Sequence, residues 1–191
     1  MYLTTARLIL RDLRPEDGPA LHAVRGDPVV ARYMDWGPET LQQTCDWVQA
    51  TIPHNQACPR RSYNLSIVRR SDDYLIGWIG IGDPSRPTGY TRAYDFGYAL
   101  ARAYWNQGYM TEALGALLHV AFTQLGTEYV YGQCDQRNVG SARVMDKVGL
   151  HRVAAFRQQD AAAGTVTDHY RYAIEASAWH PATPQCEVRE L

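Results

Sequence analysis

No apolar run in the sequence approaches the roughly 18 residues that a membrane-spanning helix needs. The opening stretch MYLTTARLILRDL breaks its apolar residues with arginine and offers no small-residue cleavage site, so a secretory leader is not expected either. Charge of one sign is not in excess. A net charge of −1 gives no field that would draw the chain to nucleic acid or to an acidic membrane surface. Arginine greatly outnumbers lysine, which by itself points to no function. Cysteine is sparse: Cys45, Cys58, Cys134 and Cys186 stand without CxxC spacing, against a zinc site or a disulfide framework. Reduced thiols in a cytoplasmic protein are the expectation. The histidines show no ligand spacing, and no metal is expected. Internal repeats, low-complexity blocks and linkers are also missing.

What is there suits one soluble domain with a full core: 191 residues, 46% apolar and 20% charged. The alternation in ARLILRDLR marks a strand. Pro15-Glu16-Asp17 opens a helix, proline being tolerated in a first turn. A second helix is expected from about Glu39 to Ile52, stopped by Pro53 and followed by the loop HNQACPRRS. YNLSIVRR and YLIGWIGIG form a hairpin across SDD, and YTRAYDFGYAL completes an antiparallel meander. Apolar positions 113/114, 117/118, 121/122 and 125 give a helical stripe between Gln107 and Leu125, ended by Gly126. EYVYGQCD is the next strand. NVGSARVMDKVG is a short helix with Asn138 at its mouth and Gly149 at its exit. LHRVAAFRQ and TVTDHYRYAIE are the last strands, and the tail HPATPQCEVREL, without periodicity, is expected to be irregular. The fold class is α+β.

One turn stands out. YWNQGYMTEA, residues 104–113, puts a glycine where the best-patterned helix begins, at a cost of about 1 kcal/mol relative to alanine. A helix mouth has unpaired N–H groups and roughly half a positive charge. An anion such as a pyrophosphate sits there only if the backbone can approach it, and Gly108 has no side chain in the way. Relief of strand–helix packing explains the glycine equally well, so the short motif leaves both readings open.

The order of elements resembles the GNAT acetyltransferase superfamily, in particular its RimJ/RimL-like branch of ribosomal-protein N-terminal acetyltransferases. TARLILRDL, DPVVARYM, GWIGIG, DFGYALARAYWNQGYMTEAL, NVGSARVMDKVGLHRV and DHYRYAI carry the resemblance, in that order, over almost the whole chain. It implies a GNAT domain over residues 1–176 and a tail over 177–191. The sheet should be mixed, mostly antiparallel and six- to seven-stranded, flanked by about four helices and split like a V between the fourth and fifth strands. Acetyl-CoA is the implied co-substrate. The resemblance assigns its contacts to Phe96, Tyr98, Ala99 and Leu100, to the turn Trp105, Asn106, Gln107, Gly108, Tyr109, Met110 and Thr111, and to Asn138 and Ser141. The family's phosphate turn reads Q/R-x-x-G-x-G/A; here Trp105 takes the first place and Met110 the final small one, while Asn106 stands where glycine is frequent. Gly97 is the residue a bend beside the split would need.

By the same resemblance Ser141 donates a hydrogen bond or proton to the departing thiolate, and Asn138 holds the pantetheine or caps its helix. Asp95 is the candidate base, with Asp135 as the other carboxylate to consider. Glu112 reads as a partner of the positive helix end or of a neighbouring group, and His119 as structural. The acceptor amine must be neutral to attack. An α-amine, pKa near 7.8, is about one-seventh neutral at pH 7, a lysine side chain less than one-thousandth. Tyr33, Trp36 and Trp78 are the implied acceptor walls, with Met34, Trp47 and Tyr63 beside them. The function expected is N-acetyl transfer from acetyl-CoA to a primary amine, on a peptide or a small molecule, by direct attack in a ternary complex. Dimers are common among such enzymes. The rival is a catalytically silent acyl-CoA-binding module, favoured by Met110 and by the want of an obvious base.

Overall fold

The computed structural model describes residues 1–34, 36–159, 165–180 and 187–190. β1 (Tyr2–Thr4) and β2 (Leu8–Asp12) form a hairpin. A 3-10 turn at Pro15–Asp17 leads into α1 (Gly18–Arg25). Asp27 caps α2 (Pro28–Ala31) by accepting the Val29 N–H at 2.7 Å. α3 (Leu41–Gln56) starts at a capping box between Thr40 and Gln43. It does not stop at Pro53, as the sequence suggests, but runs on to Gln56. A proline this close to a helix end removes one late ladder bond. The last turn is tied down instead by Asn55, which donates to the Asn64 carbonyl at 2.7 Å and accepts the Asn64 N–H at 2.8 Å.

The meander follows as β3 (Ser62–Arg69), β4 (Tyr74–Gly82) and β5 (Ala93–Leu100). Then come α4 (Tyr109–Thr123), β6 (Tyr129–Asp135), α5 (Val139–Lys147), β7 (His151–Gln159), β8 (Val166–Glu175) and β9 (Glu187–Glu190). All nine strands lie in one sheet, in the order β7-β8-β6-β5-β4-β3-β2-β1-β9. Every neighbouring pair is antiparallel except β5 and β6. Among the described residues the sheet is thus wider than the six or seven strands expected, and five α-helices flank it where about four were expected. Part of the difference lies in the tail, which was expected to be irregular. Three of its residues pair along β1, with Leu3 opposite Val188. So short a strand has no readable period, and its order comes from the edge it joins.

Leu114, Leu117 and Leu118 of α4 are fully buried against Leu8, Leu10, Leu65, Ile67 and Ile79 on one face of the sheet. On the other face Leu21, Val24 and Val48 from α1 and α3 pack on Val68, Leu75, Trp78 and Ala99. Between these layers β5 and β6 share three rungs, Ala93 to Tyr129, Tyr94 to Val130 and Asp95 to Tyr131, and then part. The V therefore lies where expected, between the fourth and fifth strands counted from β2. Gly97 does not make it. That residue pairs with Gly80 in unbroken register, and a Cβ there would meet Trp78 at an ordinary 3.5 Å. The parting is instead held by Phe96, whose ring occupies the space a side chain on Gly132 of β6 would need. A Cβ at Gly132 would come within 2.3 Å of that ring.

Candidate active site

β5 offers half of its backbone to the split. The Ala101 N–H donates to Ile76 of β4 at 2.9 Å, so by the two-residue period the N–H groups of Leu100, Tyr98 and Phe96 face away from β4; that of Phe96 closes the last rung with β6, and those of Tyr98 and Leu100 face the gap. After β5 the chain makes a 3-10 turn over Arg102–Tyr104, and the Trp105 indole N–H donates to the Leu100 carbonyl at 2.7 Å. Two left-handed residues then aim the turn into α4: Asn106 at φ 59° and Gly108 at φ 81°. Glycine adopts this backbone without steric cost and asparagine more readily than most residues. No side chain caps the helix, and its first backbone bond runs from the Glu112 N–H to the Gly108 carbonyl at 3.0 Å. Among the described residues no protein acceptor meets the N–H groups of Tyr109, Met110 and Thr111.

The outer side of the turn is clamped. Arg7 stacks on the Tyr109 ring, 4.4 Å from its centroid, and donates to the Gln107 carbonyl at 3.0 Å and to Glu112 at 2.7 Å. Glu112 also accepts from the Thr5 hydroxyl at 2.6 Å and the Arg7 N–H at 2.8 Å. Burial alone would raise the Glu112 pKa, but these bonds together hold it below the usual carboxylate range. A depressed carboxylate contributes stability above its unfolded pKa, near 4.3, and loses it as pH falls through the lower folded value. Glu112→Gln should therefore cost about 1–2 kcal/mol at pH 7, the exposed Arg7 arm counting for little. The gap to the wild type should close in acid. Urea melts at pH 7 and pH 3 check both points.

The open mouth leads into a pocket of about 410 Å³. Its walls are Tyr98 to Leu100, the turn at Trp105, Asn106 and Gly108 to Thr111, and one side of α5. That side is the three-residue series Asn138, Ser141, Val144 and Lys147, with Arg137 and Arg143 beside it. Arg32 from the end of α2 adds another cation. A second pocket, about 560 Å³, is lined by Trp36, Trp78, Ser85, Arg86, Asp95 to Gly97, Tyr131 to Cys134, Gln158 and His169. Tyr33, Met34, Tyr98, Asn138 and Ser141 line both.

At this junction the Tyr98 and Ser141 hydroxyls lie 2.9 Å apart, and the Asn138 side chain accepts the Ser141 N–H at 3.1 Å. Burial raises the Tyr98 hydroxyl above an ordinary phenol, an effect its bond to Ser141 partly offsets. Burial likewise pushes the Cys134 thiol up to about 11, so it stays protonated at neutral pH. Asp95, on the last β5–β6 rung, accepts the Ser85 N–H at 2.9 Å and the Tyr131 hydroxyl at 3.3 Å. His169 has its pKa lowered by burial, with Asp135 pulling the other way. Its Nε2 lies 2.9 Å from the Thr167 hydroxyl, and its Nδ1 has no partner.

Residues 7–151 match the family model described as "Acetyltransferase (GNAT) domain". The chain belongs to the GNAT acetyltransferase family. It is 27% identical to the uncharacterized N-acetyltransferase YnaD of Bacillus subtilis, over 94% of this chain and all of that one. The crystal structure of a GNAT-family acetyltransferase from Bacillus anthracis superposes with a TM-score of 0.81 at 25% identity, covering 93% of this chain and 99% of the other. RimL, the ribosomal L7/L12 α-N-protein acetyltransferase solved in complex with coenzyme A, shares the fold with a TM-score of 0.78 at 21% identity, over 91% and 97% of the two chains.

The GNAT enzyme is an N-acetyltransferase, and the residues present fit the family's acetyl-CoA. Uncapped N–H groups at a left-handed glycine suit a pyrophosphate, and Arg32, Arg137, Arg143 and Lys147 supply cations along the same pocket. Met110 is no obstacle: its side chain is buried in the core below α4 while its N–H stays at the mouth. Two residues expected at the cofactor depart from that pocket. Phe96 lines the second pocket, its ring being committed to Gly132. Gln107 turns outward, its side chain donating to the Ala103 carbonyl at 2.8 Å.

Tyr33, Trp36, Trp78 and Asp95 do meet at the second pocket. Trp36 and Trp78 are held there by the Arg25 guanidinium, which lies 4.2 Å from one ring centroid and 5.9 Å from the other and pairs with Glu39 at 2.6 Å. Trp47 belongs to that same cluster behind the wall, its ring centroid 4.0 Å from the Arg25 guanidinium, and Tyr63 is buried in the core under α4; neither lines either of these two pockets. Asp135 is closed in an ion pair with Arg137, 2.6 Å. Sequence reasoning missed Arg137, Arg143 and Lys147, and on the acceptor side Ser85, Arg86, Tyr131, Gln133 and His169. The three-residue spacing through Lys147 was a signal for part of the first set.

Proposed function

We propose that this enzyme moves the acetyl group of acetyl-CoA directly to the primary amine of a peptide or small molecule, both substrates being bound together. The observation that carries the reading is the meeting of the two pockets at Tyr98, Asn138 and Ser141, beneath the split. The pantetheine arm would add to the free edge of β5 through the N–H groups of Tyr98 and Leu100, one of them available to the thioester oxygen. Ser141, backed by Tyr98, would hydrogen-bond the departing thiolate; a thiol with a pKa near 8.5 needs little more at neutral pH. Asp95, beside Tyr131 and Ser85, would take the proton that the amine loses, directly or through water. The RimJ/RimL-like branch and a cytoplasmic setting belong to the same proposal, supported by the motif order and by the unpaired Cys45, Cys58 and Cys134.

The test mixes enzyme, acetyl-CoA and a panel of amines that includes peptides with free N-termini. Thiol release is followed, and products are identified by mass spectrometry. Thiol and acetylated amine should appear in equal amounts. Binding of acetyl-CoA without thiol release for any amine would favour the silent module.

A further inference from the structure

The acceptor pocket has two arginines in and just behind its wall, Arg86 and Arg171, against one carboxylate, Asp95. Of its charged lining groups, Asp95 is already engaged by Ser85 and Tyr131, and His169 is kept neutral near pH 7 by burial against the smaller pull of Asp135. Arg86 is exposed at the rim and lines the pocket. Arg171 stands two residues beyond His169 on the same face of β8, directly opposite Gln133, a lining residue. Its guanidinium carbon is 5.5 Å from the ring of Tyr131, another lining residue, and 5.0 Å from the ring of Phe156. Arg86 approaches that same Phe156 ring to 5.6 Å.

Neighbouring cations have carboxylate partners, Arg137 with Asp135 and Arg157 with Asp168. Among the described residues Arg86 and Arg171 have none, and the Arg171 Nε is shut off from water without an acceptor. A buried donor left unmatched is costly, the more so when it is charged. Two cations around one ring also raise each other's energy. An anion between them would relieve both, and a carboxylate fits a guanidinium fork in two parallel bonds. A polyamine or another polycation would make the repulsion worse.

We infer that the natural acceptor is an amine that also carries a carboxylate, its amine at the Tyr98–Ser141 junction and its carboxylate at Arg86 and Arg171. The inference rests on the acetyl-transfer reading of the second pocket. Two sources share this chemistry, a free amino acid and a peptide with an acidic first residue.

Binding to the enzyme–CoA complex, read by tryptophan fluorescence, tests it independently of turnover. The probes are the tripeptide amides Glu-Ala-Ala and Gln-Ala-Ala, free glutamate and spermidine. The glutamyl peptide should bind about tenfold more tightly than its glutaminyl twin, and the difference should shrink with salt. Arg171→Gln should remove the difference. Arg86→Gln, at an exposed loop position outside the core, should narrow it, and neither should alter acetyl-CoA binding. Tighter binding of free glutamate than of the peptide identifies a metabolite acceptor; the reverse identifies an N-terminus. Equal binding of the twin peptides, tighter binding of spermidine, or a difference that survives both substitutions would overturn the inference. If the difference is present but no amine releases thiol, the transfer reading falls and the carboxylate site stands.

Discussion

Gly108→Trp should abolish acetyl-CoA binding while leaving the protein folded. Position 108 sits at φ 81°, where any L-residue is strained by about 1–2 kcal/mol, an amount a core of this size absorbs. A Cβ there would come 3.4 Å from the Arg7 guanidinium that clamps the turn, so an indole must either displace that clamp or swing across the helix mouth, and both spoil the N–H positions a diphosphate would meet. Gly108→Ala separates the two effects, since it brings the strain and almost none of the bulk; about tenfold weaker binding is expected. Gly115→Ala is the control. It lies inside the same helix, a Cβ there would find its nearest neighbour at 4.0 Å, and replacing a mid-helix glycine should stabilise by about 0.5–1 kcal/mol. Calorimetric titration and thermal melts on the three variants decide the matter: wild-type affinity in Gly108→Trp would place the phosphates elsewhere.

Ser141→Ala should lower kcat about a hundredfold with the acetyl-CoA dissociation constant nearly unchanged. The hydroxyl is one of two donors at the junction, 2.9 Å from that of Tyr98, and its partner is a phenol that burial has made a poorer acid. Loss of one donor to a developing anion typically costs 10²–10³ in rate. The Asn138 cap on the Ser141 N–H survives the substitution, so the end of α5 should hold its place. Tyr98→Phe should give a smaller loss, and the double variant less than the product of the two, because the hydroxyls act on the same sulfur. Single-turnover rates with saturating acetyl-CoA measure this. An undiminished rate in Ser141→Ala would remove it from the chemistry.

What the sequence made legible was local. Gly108 at the start of a regular apolar stripe, and the spacing of Asn138 and Ser141, each describe one helix end whose geometry depends on its own few residues. The same spacing continued to Val144 and Lys147, which turn out to line the same pocket. Gly97 misled because a glycine within a strand looks alike whether it bends the strand or merely packs; the cause of the split is a contact between strands, Phe96 upon Gly132. The acceptor side could not be read for a related reason. Arg86, Asp95, Gln133 and His169 come from a loop and three strands, and only the sheet order brings them together. Pro53 and the last strand failed differently: both are decided by tertiary bonds, Asn55 to Asn64 and β9 to β1, that no neighbouring residue announces.

The three rungs shared by β5 and β6 make that line a thin seam through the interior of the sheet, with six strands on one side and three on the other. A pantetheine arm lying in the gap would act as a stitch, supplying hydrogen bonds that the polypeptide leaves unmade. Coenzyme would then couple the two halves mechanically as well as serve the reaction, so the holoenzyme would melt as a more unified body than the bare chain.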